Sequence, residues 1–330
     1  MEAASAEGAP ALLFLAPMAG VTNTVFRQLC KDLGADVLTT EFVSAEGILQ
    51  RNERTRRYLE FHASERPIGI QLFGADPDHL AEAARAVIGW VEPDFIDLNF
   101  GCPVNKVVCR NGGSALLRDG PLLARVARGV VAAAGPVPVT AKIRIGWDAS
   151  SINAVGTAKI LEAEGVARIT VHGRTKAQGY SGTADWSVIA EVARSVSIPV
   201  VGNGDVNSVA NAMLRLRDPR LAGLMIGRAA MNHPWIFSEI RAAISGGTPP
   251  PPVLPEEKWA FIAFHCAKEI EWWGGNELMA MRAMRARLMA YTRGMTGGAR
   301  LRSSLQRVET LDQLRSIADA HLSGIEAQGH

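Results

Sequence analysis

Apolar residues in this chain gather into short runs that end in polar or flexible residues, and the pattern recurs eight times. The runs are Leu12–Met18, Asp36–Phe42, Ile68–Phe73, Phe95–Phe100, Val137–Ile145, Arg168–His172, Ile198–Asn203 and Ala222–Ile226. Most are bounded by Gly, Pro or Asp, which predicts buried strands. Helical stretches lie between them. Asp76–Trp90 has a proline in its first turn, Ala81, Ala84 and Ile88 at helical spacing, and Gly89 near its end. Pro121–Ala134 and Ile152–Glu164 read the same way, the latter with Ser150 or Ser151 as N-cap. Eight strand–helix units in about 240 residues predict an α/β chain folded as a (β/α)8 TIM barrel. A doubly wound sheet is the alternative, but the G-x-G-x-x-G fingerprint is absent and eight regular units suit closure better.

The pattern changes after Gly246. Gly246-Gly247-Thr248 is followed by four prolines, Pro249 to Pro252, which form a stiff polyproline-type linker. Beyond it, Pro255–Trp273, Glu277–Arg293 and Leu311–Leu322 predict three helices. The chain thus divides into a catalytic barrel (1–246), a Gly/Pro-rich linker (247–254) and a small all-helical C-terminal domain (255–330).

Charge matters most in that tail. The formal net charge is only +2, yet Arg282 to Arg307 holds seven arginines and no acidic residue. Met281, Met284, Leu288 and Tyr291 make one apolar helical stripe. Arg282, Arg285 and Arg293 cluster within about 80° on another side, at roughly 100° per residue. A solvated helix face is the bland alternative. A packed helix whose arginine face lacks counter-charges is the footprint of a polyanion binder.

Composition excludes several classes. Hydrophobic residues at 48% and charged residues at 21% describe an ordinary globular protein. No apolar run approaches the roughly 18 residues of a transmembrane helix. Met1 to Pro10 is small and acidic, without the features of a signal peptide, so a cytoplasmic location is expected. Cys30, Cys102, Cys109 and Cys266 form no C-x-x-C, so neither a zinc site nor a disulfide framework is expected. The oligomeric state is left open, and a monomer is compatible with all of this.

In a barrel, function sits at the C-terminal strand ends. Here those ends carry Pro17-Met18-Ala19-Gly20, Thr40-Glu41, Gln71, Asn99 to Cys102, Lys142 with Arg144, His172, Asn203-Gly204-Asp205 and Gly227-Arg228. The last two groups precede helices, where glycine backbone and a fixed arginine charge suit a phosphate. Gln71 can donate and accept at a ring amide edge. Lys142 is placed to stabilise negative charge on a reduced flavin, or else to pair with Glu41 or Asp97. His172, followed by Gly173-Arg174, is a site candidate; a core histidine is the alternative. Cys102 follows Gly101 and precedes Pro103, a poor setting for a buried small hydrophobe. A thiol with a pKa near 8.5 is mostly protonated at neutral pH and suits a proton donor. A nucleophile is the competing role, with His172 as its base. Cys109, in a basic loop with Lys106 and Arg110, has no evident partner.

Several segments, in order and at fitting separations, resemble the tRNA-dihydrouridine synthases. They are Ala16-Pro17-Met18-Ala19-Gly20-Val21-Thr22, Asn99-Phe100-Gly101-Cys102-Pro103, Lys142-Ile143-Arg144-Ile145-Gly146-Trp147 and Val171-His172-Gly173-Arg174-Thr175. Tyr180-Ser181-Gly182-Thr183-Ala184-Asp185-Trp186, Gly202-Asn203-Gly204-Asp205 and Met225-Ile226-Gly227-Arg228 continue the likeness. Pro234 to Phe237 brings it nearest to the bacterial B-type branch. The first motif departs from the usual pattern at Asn23, where Asp is frequent. The resemblance implies an FMN barrel and a helical tRNA-binding domain. It implies that Pro17, Met18 and Ala19 contact FMN, with Gln71, Asn99, Lys142 and His172 around its ring. Asn203, Gly204, Asp205, Gly227 and Arg228 would hold its phosphate. Cys102 would be the general acid in reduction of a uridine C5=C6 bond, with NADPH or NADH as transient reductant. Arg174, Arg282, Arg285 and Arg293 are the expected RNA contacts, and the loops Lys106–Arg110 and Arg174–Tyr180 are expected beside the same RNA. Two rivals remain: a flavin barrel acting on a free pyrimidine, resembling dihydroorotate dehydrogenase, and a non-catalytic RNA-binding barrel.

Overall fold

The computed structural model describes residues 10–109 and 112–326. Residues 1–9 of the acidic N-terminal segment, Arg110 and the side chain of Lys106 lie outside the described residues.

Each expected strand is present. They are β1 (Leu12–Leu15), β2 (Leu38–Thr39), β3 (Val43–Ser44), β4 (Ile68–Phe73), β5 (Phe95–Phe100), β6 (Val139–Arg144), β7 (Arg168–His172), β8 (Val200–Asn203) and β9 (Leu221–Ile226). All pairings between named strands are parallel, in the order β1-β9-β8-β7-β6-β5-β4-β2, and β3 also pairs with β4. β2 and β3 are two short pieces of one barrel position. The circle closes where Leu15 N–H donates to the Val37 carbonyl at 3.1 Å, beside a Phe14–Val37 bridge. This is the (β/α)8 barrel, with helices between the strands.

Alternation along the strands sorts residues between two environments. Ile68, Ile70 and Leu72 of β4, Ile96 and Leu98 of β5, and Ala141 and Ile143 of β6 pack in the large core shared with the helices. Phe14, Phe95, Val201 and Met225 form a separate cluster inside the barrel. Gly69 is needed there, because a Cβ would fall 2.0 Å from the Phe95 ring. Above these residues the interior is polar. Arg168 lies over the rings of Phe14 and Phe95 at 4.9 and 4.8 Å. Thr140 and Gln71 both donate to Asp97, at 2.5 and 2.6 Å. Burial pushes the Arg168 guanidinium down to about 10 and Asp97 up, although each charge favours the other.

The intervening helices begin where short polar side chains cap them. Asp76 accepts from the amides of Asp78 and His79 at the start of Pro77–Val91, and Asp119 from Leu122 at the start of Gly120–Ala134. The expected Ser cap before the next helix is not formed. Ser150 and Ser151 donate their hydroxyls to Asp148, and the helix Ala154–Ala163 starts after Asn153, whose amide is drawn to the Leu117 carbonyl.

Residues 245–254 are largely exposed and carry no helix or strand. The tail then forms helices Pro255–Trp272, Glu277–Tyr291, Gly298–Leu305 and Leu311–Glu326. Gly298–Leu305 was expected as loop. It is held by burial of Leu301 and Leu305, four residues apart on one face. The stripe Met281, Met284, Leu288 and Tyr291 is buried as expected. These helices pack on the first barrel helix, Thr24–Asp32. Phe26 stacks on His265 at 5.8 Å and lies 4.1 Å from the Arg287 guanidinium. Arg287 also donates to the Val21 carbonyl at 2.6 Å, and Asn23 donates to Glu269 at 2.6 Å. The apolar core runs without a break from Phe26 and Cys30 into Trp259, Ile262 and Met281.

Candidate functional site

The C-terminal strand ends enclose a cavity of about 710 Å³. That size suits a small molecule or cofactor, whose sites span about 300–1,000 Å³. Pro17, Met18, Ala19, Gln71, Asn99, Cys102, Lys142, His172, Asn203, Gly204, Asp205, Gly227 and Arg228 all line it. Arg293 of the tail lines it too.

A chain of hydrogen bonds builds the cysteine turn from inside the barrel. Thr140 and Gln71 hold Asp97, and Asn99 donates to the Gln71 side-chain oxygen Oε1 at 2.8 Å. The Asn99 side-chain oxygen then accepts from Gly101 N–H at 3.1 Å and Cys102 N–H at 2.8 Å. Ser114 closes the turn by donating to the Cys102 carbonyl at 2.8 Å. Burial raises the Cys102 thiol above its ordinary value; the Val104 amide and the Arg144 and Lys142 charges only partly oppose this. The group is a thiol at neutral pH.

Lys142 is recessed in the wall and donates to the Asn203 side-chain oxygen at 3.1 Å. Burial and the Arg144 charge bring it down to about 8, against the pull of Asp97 and Cys102. It makes no direct ion pair with Glu41 or Asp97 among the described residues; Glu41 accepts from Gly20 N–H at 2.7 Å and so braces the first loop. His172 is held neutral by burial and by the charges of Lys142, Arg144, Arg174 and Arg228.

The 203–205 turn needs glycine. Gly204 has φ +127°, and a Cβ there would meet Ala184 at 2.6 Å. Trp186 clamps the turn by donating to the Gly204 carbonyl at 3.0 Å. Two side chains here also bond to their neighbours. The Asn203 amide donates to the Met225 carbonyl and accepts from Lys142, so it orients the lysine. Asp205 accepts from Arg174 at 2.8 Å and Arg228 at 3.2 Å, so its carboxylate aims the arginines. Nearby hydrogen bonds and these cations hold Asp205 below its ordinary value even though burial opposes them.

The expected RNA contacts fare unevenly. Arg174 is only 2% exposed and donates to Asp205 and to the Ser181 and Gly182 carbonyls, while its Nη1 has no partner among the described residues. Arg282 and Arg285 both reach Glu309, at 2.9 and 3.4 Å. The run free of acids therefore acquires a counter-charge from just beyond its end. Arg282 and Arg293 are exposed, and of the four only Arg293 lines the cavity. Cys109 is exposed.

Two wall residues went unassigned. Tyr180 is 60% exposed, with Arg228 and Arg144 at 4.7 and 5.8 Å from its ring. Arg144 is buried and donates to the carbonyls of Gly101, Thr175 and Gly179. The available signals were period-two parity with Lys142, and an aromatic in the loop after β7. Among the described residues, no group of three His, Cys, Asp or Glu side chains is arranged to hold a metal ion. Among the described residues no helix is long and apolar enough to cross a membrane.

Fold and cavity define a (β/α)8 barrel enzyme with a basic, thiol-bearing site at the C-terminal strand ends. Within that class the chain belongs to the dihydrouridine synthase family, because the profile described as Dihydrouridine synthase (Dus) matches residues 14–325. A protein from Mycobacterium tuberculosis named probable tRNA-dihydrouridine synthase is 39% identical over 319 residues, covering 92% of this chain and 80% of that protein. A tRNA-dihydrouridine synthase B from Pseudomonas aeruginosa is 39% identical over 303 residues, covering 92% of this chain and 90% of its own.

Proposed function

We propose that this protein reduces the C5=C6 bond of specific uridines in tRNA to 5,6-dihydrouridine, with FMN as resident cofactor and NADPH or NADH as reductant. Residues 1–246 form the FMN-binding barrel, 247–254 the linker and 255–330 the helical tRNA-binding part. The observation that carries this reading is the convergence of Cys102 with Lys142, Arg228 and two glycine turns on one cavity. Relatives named for the same activity, matched over nearly the whole chain, support it.

The residues present fit a flavin mononucleotide. Gly227 borders the cavity with only Ala16 and Met18 within 4 Å of a built Cβ, at 3.4 and 3.6 Å, so a side chain there would fill the cradle. Arg228, aimed by Asp205, and the first amides of the helix it opens suit a phosphate. Pro17, Met18 and Ala19 wall one side, and Gln71, Asn99, Lys142 and His172 surround the ring position. When bound, FMN supplies the hydride equivalent. A uridine must leave its stack to reach the cavity. Lys142 places positive charge where anionic character develops. Cys102 gives its proton to C5, and its raised pKa keeps that proton available. Neutral His172 offers a hydrogen bond without adding charge.

The test is dihydrouridine mapping in total tRNA from cells with and without the gene, together with Cys102→Ala. That variant should keep its flavin and lose most product. Full activity in it would sink the acid assignment, and turnover of free uridine in place of tRNA would favour the free-pyrimidine rival.

A further inference from the structure

We propose that the exposed arginines of the segment Arg51–Tyr58, with Trp272 and Trp273 of the tail, form a second surface that grips backbone phosphates of the RNA whose uridine enters the barrel. This rests on the tRNA reading above and adds a contact site to it.

The segment follows β3 and the short helix Ala45–Leu49, and the chain just beyond it is tied to the loop after β1, because Arg27 donates to both the Thr22 and Glu60 carbonyls at 2.7 Å. Arg51, Arg56 and Arg57 are exposed. Glu53 and Glu60 lie in the same stretch, yet among the described residues none of the three arginines forms an ion pair. Arg57 lies 5.7 and 5.6 Å from the rings of Trp272 and Trp273, which fixes the segment against the tail. Tyr58, in the same segment, is 38% exposed. Unpaired arginines interleaved with accessible aromatic rings suit a sugar-phosphate backbone and its bases. The contrast with Arg282 and Arg285 is direct, since Glu309 already occupies both.

Spacing then selects the ligand. Trp273 precedes the 15-residue helix Glu277–Tyr291, and Arg293 follows it at the cavity. Such a helix is about 22 Å long at roughly 1.5 Å per residue. A free pyrimidine cannot touch both ends, whereas a folded RNA with a flipped base spans them. The patch therefore acts on where along the RNA the flipped base lies, as positioning contacts do.

The test uses full-length, flavin-loaded protein and unmodified tRNA. Arg51→Gln with Arg56→Gln removes two charges and keeps the side-chain stems. Binding should weaken about tenfold at low salt, and the slope of log affinity against log salt should fall by about 2, near 0.9 per phosphate contact. Melting temperature and flavin content should not change, and Arg51→Lys with Arg56→Lys should retain tRNA affinity. Unchanged affinity and slope in the glutamine variant, while wild type still binds and modifies tRNA, would overturn the patch alone. Failure of wild type to bind or modify any tRNA would overturn the underlying reading, and the patch with it.

Discussion

Replacing Lys142 with methionine in flavin-free protein is expected to raise stability at neutral pH. Folding brings this ammonium from an ordinary 10.5 to about 8, so the native state pays to keep it charged. At about 1.4 kcal/mol per pH unit the cost is about 3 kcal/mol. Losing the donor to the Asn203 oxygen removes about 1 kcal/mol of that gain. The net stabilisation is then about 2 kcal/mol. The sign has a pH signature. Below pH 8 both states hold the proton and the wild type carries the whole cost; between 8 and 10.5 only the unfolded state holds it, so wild-type stability rises with pH. The advantage of the variant should thus be full at pH 7 and vanish towards pH 10.5. Urea titrations of both proteins across that range measure it. A variant no more stable than wild type at pH 7, or a difference that does not shrink with pH, would refute the idea that burial of the Lys142 charge costs the folded state. The same variant should retain flavin poorly.

Three further outcomes are expected. In the proposed reaction Cys102 acts as a thiol, and burial holds it above its ordinary 9.0, so product formation should persist to alkaline pH and be lost only as pH rises through that raised value; a pH–rate profile reads this. Glu65→Ala leaves the buried Arg27 guanidinium, now 2.5 Å from that carboxylate, without its partner. The loss should be about 3–5 kcal/mol by urea denaturation. Arg282→Ala with Arg285→Ala should change tRNA affinity less than Arg293→Ala alone, because both already lean on Glu309, which offsets one of their two charges, while Arg293 faces the cavity; filter binding distinguishes them.

Strand positions and the cavity-lining set were legible because alternation is local. Once Ile96 and Leu98 face the helices, Asp97 and Asn99 must face the barrel. What stayed hidden was partnership across the fold. Glu309 lies two residues beyond the arginine run, and only the return of the chain after Leu305 brings it to Arg282. Arg174 reads as a basic loop residue until Asp205, 31 positions away, takes it. Ser150 and Ser151 look like caps, and Asp148 claims them first. Helix Gly298–Leu305 is rich in Gly, Arg and Ser, and only the burial of Leu301 and Leu305 declares it. In the first three cases a long-range or competing polar bond outweighed a local preference, and in the last it was apolar burial.

The join between the tail and the first barrel helix bears on re-engineering this fold. Arg287 reaches across to Val21, in the loop that also presents Pro17, Met18 and Ala19. Phe26 is packed by His265 and Arg287 together. The helical part is therefore not an interchangeable module. A chimera that takes its tail from a relative should also take residues 17–32, and one cut at the proline run should leave the near wall of the cavity unsupported.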